Sequence, residues 1–329
     1  MSEDPSTTRR TLLKGIGASL AVGGFSGLSA AADAEWTTAP TGTDSSLYDV
    51  EYTSAGAYAV GAGGVVLERG PKQWTKIVDG GPTGNGNSLY GSDVTADGDA
   101  LWFVGASGAI GEYAVQTGDL NDHSAPLDNT NNYNDVAVTG ETGAANVYVA
   151  GDSGKIYYSF ENGETGTWNY VTPGSGSAIQ AIDFHGPRAG HAVDGNGRVF
   201  ATDDGVTWNV VGLQDANVNF YGVDSDGDGE VTVSGGGGMV FHLAESQWVA
   251  ASTGDKSLRD VEVADGDGYV VGGGGTVYSV DTTAARFDEN AGPWTAEATP
   301  VGQNLKAVVR GPRGSPDVTV GAGGTVLEK

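Results

Sequence analysis

Cysteine is absent from the 329-residue chain. Disulfides, thiolate metal centres and lipid attachment at a cysteine are therefore excluded. Positive charge is scarce: 16 Lys and Arg stand against 42 Asp and Glu, a formal net charge of −26. Binding nucleic acid requires a basic footprint that displaces counterions from phosphates, and the chain has none, so nucleic acid is not an expected partner. Apolar content is also low, at 38%. A chain this acidic and this rich in glycine (56 residues) either stays disordered or is adapted to concentrated salt. In the second case screening is strong, with a Debye length of about 3 Å at 1 M salt. The regular strand pattern described below favours the salt-adapted reading.

The first residues read as an address. Thr8-Arg9-Arg10-Thr11-Leu12-Leu13-Lys14 resembles a twin-arginine export signal, with Leu12 where phenylalanine is commoner. A soft apolar stretch follows from Gly15 to about Ala32. It is interrupted by glycines, which makes it a poor permanent span. Ala30-Ala31-Ala32 and Ala32-Asp33-Ala34 supply small-residue cleavage sites. The expected organisation is a signal peptide over residues 1–34 and a mature domain over 35–329. The mature chain is expected to be monomeric, without a stable membrane span, and located outside the cell or on its surface.

What the mature chain has in abundance is repetition. Leu47-Tyr48-Asp49-Val50 recurs as Tyr133-Asn134-Asp135-Val136, Ile179-Gln180-Ala181-Ile182, Phe220-Tyr221-Gly222-Val223, Leu258-Arg259-Asp260-Val261 and Leu305-Lys306-Ala307-Val308. A copy over Leu89 to Val94 reads as carrying two extra residues. Each copy precedes a strand, a glycine-rich turn and another strand, as in Ala59-Val60-Gly61-Ala62-Gly63-Gly64-Val65-Val66. Tryptophans at 74, 168, 208, 248 and 294 mark a fourth strand. Short strands at a spacing of about 40 residues are the mark of propeller blades. The predicted fold is all-β: a seven-bladed β-propeller of four-stranded antiparallel blades. The seventh unit ends at Lys329 after its third strand, and Glu35-Trp36-Thr37-Thr38 resembles the fourth strand it lacks. The N-terminal strand is therefore expected to complete the last blade, which removes an open sheet edge. The glycine-rich turns are not read as phosphate cradles, because no helix follows them.

Ala201-Thr202-Asp203-Asp204-Gly205-Val206-Thr207-Trp208 resembles the Asp-box of bacterial-neuraminidase-type repeats, departing only at Ala201. Ser159-Phe160-Glu161-Asn162-Gly163 with Thr167-Trp168 looks like a second, looser copy. The resemblance assigns Asp203, Gly205 and Trp208 a structural role in a hairpin. The layout as a whole, with repeats of WD40- or YVTN-like length behind an export signal, is similar to the photosystem II stability/assembly factor-like proteins. That resemblance implies a non-enzymatic binding scaffold, and a photosynthetic role does not follow from fold alone.

Several residues are candidates for chemistry. Asp224-Ser225-Asp226-Gly227-Asp228-Gly229-Glu230 alternates carboxylates before glycine, as a calcium loop does, so Asp224, Asp226, Asp228 and Glu230 are possible Ca2+ ligands. Gly235 stands where the closing bidentate carboxylate belongs. The related Asp97-Gly98-Asp99 and Asp265-Gly266-Asp267 favour plain acidic hairpins instead. A sialidase-like glycoside hydrolase is the enzymatic alternative. It needs two spaced carboxylates and an arginine cluster. Arg69, Arg188, Arg198, Arg259, Arg286, Arg310 and Arg313 show no Arg-Ile-Pro element. His185 and His191 flank one hairpin, but two ligands without a third make a poor zinc site. First strands line the channel of a propeller, so Tyr48, Asp49, Asp135, Tyr221, Arg259, Asp260 and Lys306 are expected to ring its mouth. The expected partner at that mouth is a protein or a glycan, and no catalytic residue is assigned.

Overall fold

The computed structural model describes residues 35–213, 216–244, 246–264, 266–281 and 294–329. The leader over 1–34, Arg286 and Asp265 lie outside the described residues. The strands form seven antiparallel sheets of four strands each. Six sheets are consecutive in the chain: blade 1 spans 47–78, blade 2 89–122, blade 3 133–171, blade 4 179–210, blade 5 220–252 and blade 6 258–297. Blade 7 takes three strands from 305–328 and its fourth from Thr37–Thr38. Thr37 pairs with Glu328 and Thr38 with Leu327, so the chain's start closes its end as expected.

The first strand of each blade is innermost. These strands are Leu47–Thr53, Leu89–Val94, Tyr133–Thr139, Ile179–Phe184, Phe220–Gly227, Leu258–Ala264 and Leu305–Val309. Each packs beside the next, and the last packs beside the first, which makes the ring continuous. Their leading residues, Leu47, Leu89, Tyr133, Ile179, Phe220, Leu258 and Leu305, are buried. The core is divided into seven apolar clusters, and each joins two neighbouring blades. Val240 of blade 5 packs with Leu258 and Val261 of blade 6, and Ala307 and Val320 of blade 7 pack with Leu47 and Val50 of blade 1. Burying one such side chain contributes about 1.5–3 kcal/mol. No sheet can bury both faces alone, and closing the ring gives every blade a neighbour on each face.

The closing strand is anchored by its side chains. Trp36 is 3% exposed and stands edge-on to Tyr269 of blade 6 at 5.3 Å. Its indole N–H donates to Glu297 of blade 6 at 2.6 Å, and the same carboxylate takes the Lys329 ammonium at 2.7 Å. On the other side, Arg69 of blade 1 grips Glu328 with two bonds of 2.8 and 2.9 Å, and the Trp74 indole adds a third at 3.0 Å. The glycine turns between second and third strands are tight. Gly64 sits at φ +71°, and a Cβ there would lie 2.3 Å from the Gly81 backbone nitrogen. Only glycine meets both conditions.

One expectation is corrected. The copy in blade 2 has no inserted residues: Leu89-Tyr90-Gly91-Ser92 occupies the places of Leu47-Tyr48-Asp49-Val50, with the same register shift after the leading residue. Blade 2 also has its fourth strand, Leu120–Asp122, without a tryptophan. His123 follows that strand and stacks on Trp102 with ring centroids 4.7 Å apart.

Candidate functional site

The ladder between first and second strands slips by one residue at the same place in all seven blades. The slipped residues are Tyr48, Tyr90, Asn134, Gln180, Tyr221, Arg259 and Lys306. Each is the extra residue of a β-bulge, and a bulge re-aims the side chain it carries. All seven are half-buried. They form a collar at the end of the channel where the first strands begin. Tyr48 meets Tyr90 edge-on at 5.3 Å, and the Lys306 ammonium lies 5.9 Å from the Tyr48 ring. The Arg259 guanidinium lies 4.2 Å over the Tyr221 ring. Asn134 is tied to the Ile179 carbonyl of the next blade at 2.9 Å. Of the residues expected at the mouth, Tyr221 and Arg259 form one pair and Tyr48 and Lys306 another. Tyr90, Asn134 and Gln180 belong with them. Their shared offset from the leading apolar residue was the signal in the sequence.

Asp49, Asp135 and Asp260 have a different task. Each sits one residue past the bulge, in the channel wall. One carboxylate oxygen of Asp49 accepts its own neighbour's N–H, from Val50 at 2.9 Å. The other accepts the Ser92 N–H of blade 2 at 2.6 Å. Asp135 reaches Ile182 in blade 4 at 2.9 Å, and Asp260 reaches Val308 in blade 7 at 2.8 Å. Where the residue past the bulge is Gly91, Ala181 or Gly222, the aspartate moves two places on. Asp93 then holds Val138 at 2.6 Å, Asp183 holds Ser225 at 2.7 Å, and Asp224 holds Val263 at 3.1 Å. An innermost strand has no neighbour on its channel side, so its N–H groups there need another acceptor. Six blades supply one to the next blade. Blade 7 carries Ala307 and Val309 at the two places, and its junction with blade 1 is held by the Arg69–Glu328 pair instead.

These carboxylates surround a cavity of about 150 Å³ whose walls include Asp49, Asp93, Asp135, Asp183, Asp260 and Arg310. Burial, then the charge of a neighbouring aspartate, raises the proton affinity of Asp49 and Asp135. Burial, then the charge of Asp260, pushes Asp49 up to about 8, against the hydrogen bonds from Ser92 and Val50. Burial and the charge of Asp49 hold Asp135 well above the usual carboxylate range. Arg310, at the far end, pairs with Asp267 at 2.7 Å.

The other candidates are dispersed. Asp224 is buried and bound to blade 6, Asp226 faces the cavity, Asp228 lies 3.0 Å from His185, and Glu230 is exposed at the start of the next strand. The segment is a strand and a short turn, not a loop wrapped round an ion. Among the described residues no three His, Asp or Glu side chains are placed to hold a metal. His185 and His191 do face each other, with rings 5.7 Å apart. Both bind the Ser225 hydroxyl through Nδ1, at 2.9 and 2.7 Å. Because Asp228 accepts from His185 Nε2–H, His185 Nδ1 takes the serine proton and His191 Nδ1–H donates to the oxygen. Burial, then the neighbouring His185, lowers His191 to about 4, so it is neutral at pH 7. Ser225 is buried between them as a strut joining blades 4 and 5.

In the Asp-box hairpin, Asp204 accepts the turn amides of Val206 and Thr207 at 2.8 and 2.6 Å, in place of Asp203. Those bonds hold Asp204 at about 2. Thr202 takes the part of the box serine, accepting the Gly205 N–H at 2.9 Å, as Ser159 does for Gly163 at 3.2 Å. Gly205 is at φ +75° against the Tyr148 ring, and Trp208 is buried. Among the described residues the arginines named here do not converge: Arg188 lies over Phe160, Arg69 pairs with Glu328, and Arg310 and Arg259 lie at opposite ends of the channel.

A closed ring of seven four-stranded blades, a walled channel and one collared mouth define a seven-bladed β-propeller. Solved structures bear this out. YCF48 from Cyanidioschyzon merolae is similar over 90% of this chain and 98% of its own, at a TM-score of 0.66 and 18% identity. A virginiamycin B lyase from Staphylococcus aureus, in a catalytically inactive form with quinupristin, is similar at a TM-score of 0.73 and 11% identity over 89% of this chain and 98% of its own. The WD40 propeller domain of Doa1 gives 0.69 and 12% over 89% and 94%. At these identities the likeness shows the fold alone. No family model matches the chain, and no curated protein matches it.

Proposed function

We propose that the chain is a non-catalytic scaffold that binds a protein partner across the collared mouth of its channel. The observation that carries this reading is the collar. Seven bulges lift seven half-buried side chains out of register at one end of the ring, and five of the seven are aromatic or cationic. Half-exposed aromatics and arginine are the residue types that anchor interfaces. A structure of YCF48 bound to D1 peptide has the same fold, at a TM-score of 0.68 and 13% identity over 90% of this chain and 96% of its own. That shows such a ring can present a peptide site, and supports a peptide segment over a glycan here.

The acidity and the twin-arginine-like leader support the reading that this work is done outside the cell or on its surface, in concentrated salt. Chemical crosslinking on intact cells, followed by recovery of the chain, tests the reading. One stoichiometric protein partner is expected, and its recovery should fall when Tyr48 and Tyr221 are both replaced by alanine. Turnover of fluorogenic glycosides by the purified protein in high salt would instead establish the glycoside hydrolase alternative.

A further inference from the structure

The collar places two positive charges at the same position of adjacent blades. Among the described residues Arg69, Lys76, Lys256, Arg310 and Lys329 lie within 4 Å of a carboxylate, and Lys72, Lys155, Arg188, Arg198 and Arg313 do not. Arg259 and Lys306 have no such partner among the described residues, although acids outnumber bases 42 to 16. They sit at the same collar position in adjacent blades, 6 and 7, each against an aromatic face, Tyr221 and Tyr48. The seven collar residues include no acid. Two neighbouring cations without a counter-charge repel each other, and a partly buried site strengthens that repulsion. Burial, then the charge of Arg259, holds the Lys306 ammonium below the ordinary lysine range. An anion between the two would relieve both effects.

We propose that Arg259 and Lys306 together hold one carboxylate of a bound peptide, with the Tyr48 and Tyr221 rings flanking the residues next to it. A guanidinium offers a planar fork that matches a carboxylate, and the ammonium adds a point charge beside it. The carboxylate comes from the peptide's C-terminus or from an acidic side chain. A monoanion suits the site better than a dianionic phosphate, because the net charge of −26 and the aspartates in the channel wall repel a second negative charge. The assignment rests on the scaffold reading above and specifies the chemistry of its site.

The test is made on the folded protein in high-salt buffer with its lysines 13C-dimethylated, which keeps their charge. The Lys306 methyl signal and its titration are followed by NMR. The probes are N-acetyl-Gly-Gly, N-acetyl-Gly-Glu-amide, N-acetyl-Gly-Gly-amide, inorganic phosphate and glucuronate. The two carboxylate peptides should move the Lys306 signal saturably and raise its pKa, and the response to each separates a C-terminal from a side-chain source. The uncharged amide should do neither. Arg259→Gln should abolish the response while the signals of Lys76, Lys155 and Lys256 stay in place, which shows that the ring is intact. Equal response to the amide, a stronger response to phosphate or glucuronate, or an undiminished response in Arg259→Gln would overturn the proposal. No response to any probe would also overturn it, yet would leave the scaffold reading to be judged by the crosslinked partner.

Discussion

Replacing Asp93 by alanine probes the device that joins the blades. Asp93 accepts the N–H of Val94 in its own strand and of Val138 in the next blade, both at 2.6 Å. Both valines are buried. Alanine leaves two inner-strand N–H groups without acceptors, and an unsatisfied buried polar group costs about 1–3 kcal/mol. Channel water can satisfy one of them, so the expected loss is about 2–4 kcal/mol, or about 5–10 °C in melting temperature. Asparagine keeps one acceptor and should lose about half as much. The assay is urea unfolding at constant KCl, followed by tryptophan fluorescence, because urea leaves ionic strength unchanged. Asp79→Ala is the control: that exposed acid pairs only with the exposed Lys76, and such pairs contribute about 0–1 kcal/mol. If Asp93→Ala unfolds within 0.5 kcal/mol of the native protein, on the order of an ordinary surface change, the inter-blade carboxylates do not hold the ring.

Other outcomes are expected. Truncation to residue 44 removes Trp36 and the strand paired with Val326–Glu328, and should destabilise the whole ring by about 3–5 kcal/mol, as for a buried Trp; a melt like that of a chain beginning at residue 35 would refute closure. Asp49 and Asp135 bind protons more tightly when folded than the ordinary carboxylate value near 3.8. Their contribution is full below that value and is lost progressively up to about 8, so melting temperature at fixed salt should fall between pH 7 and 8 and level off above. His191 and His242 are held below the ordinary 6.5 and stay neutral throughout that window. Asp49→Asn should flatten the slope, and an unchanged slope would refute this account. Asp204→Ala should loosen the hairpin before Trp208, and Asp203→Ala should not, as read by hydrogen exchange at the Val206 and Thr207 amides. Calcium in excess should leave the melting temperature of wild type and of Asp226→Asn alike, since the acidic side chains of that hairpin point apart.

The ring could be read from sequence because it is written in residue types that recur. A buried apolar residue must lead each inner strand, a positive-φ glycine must turn each second strand into the third, and a tryptophan marks the outer strand of every blade but the second. Closure by Trp36 was readable for the same reason. The inter-blade aspartates were not. They alternate between two offsets, Asp49 and Asp135 at one and Asp93 and Asp183 at the other, and in an aligned motif that alternation looks like drift. Because the partner is a backbone N–H about 40 residues away, no side-chain pattern marks it. The collar was half legible. Its members share one offset, but the separation of Tyr48 from Asp49 into collar and channel wall depends on a bulge, which is a matter of backbone register. The same limit explains the assignment of the box to Asp203, one residue from the carboxylate that accepts the amides.

The central claim is that the partner sits on the collar. A photo-crosslinking amino acid placed at Gln180, inside the collar, and another at Pro312, beside the opposite end of the cavity, test it directly on intact cells. The account predicts a single protein adduct from the Gln180 position, diminished by Arg259→Gln, and none from Pro312. Adducts from Pro312 alone, or equally from both ends, would contradict it.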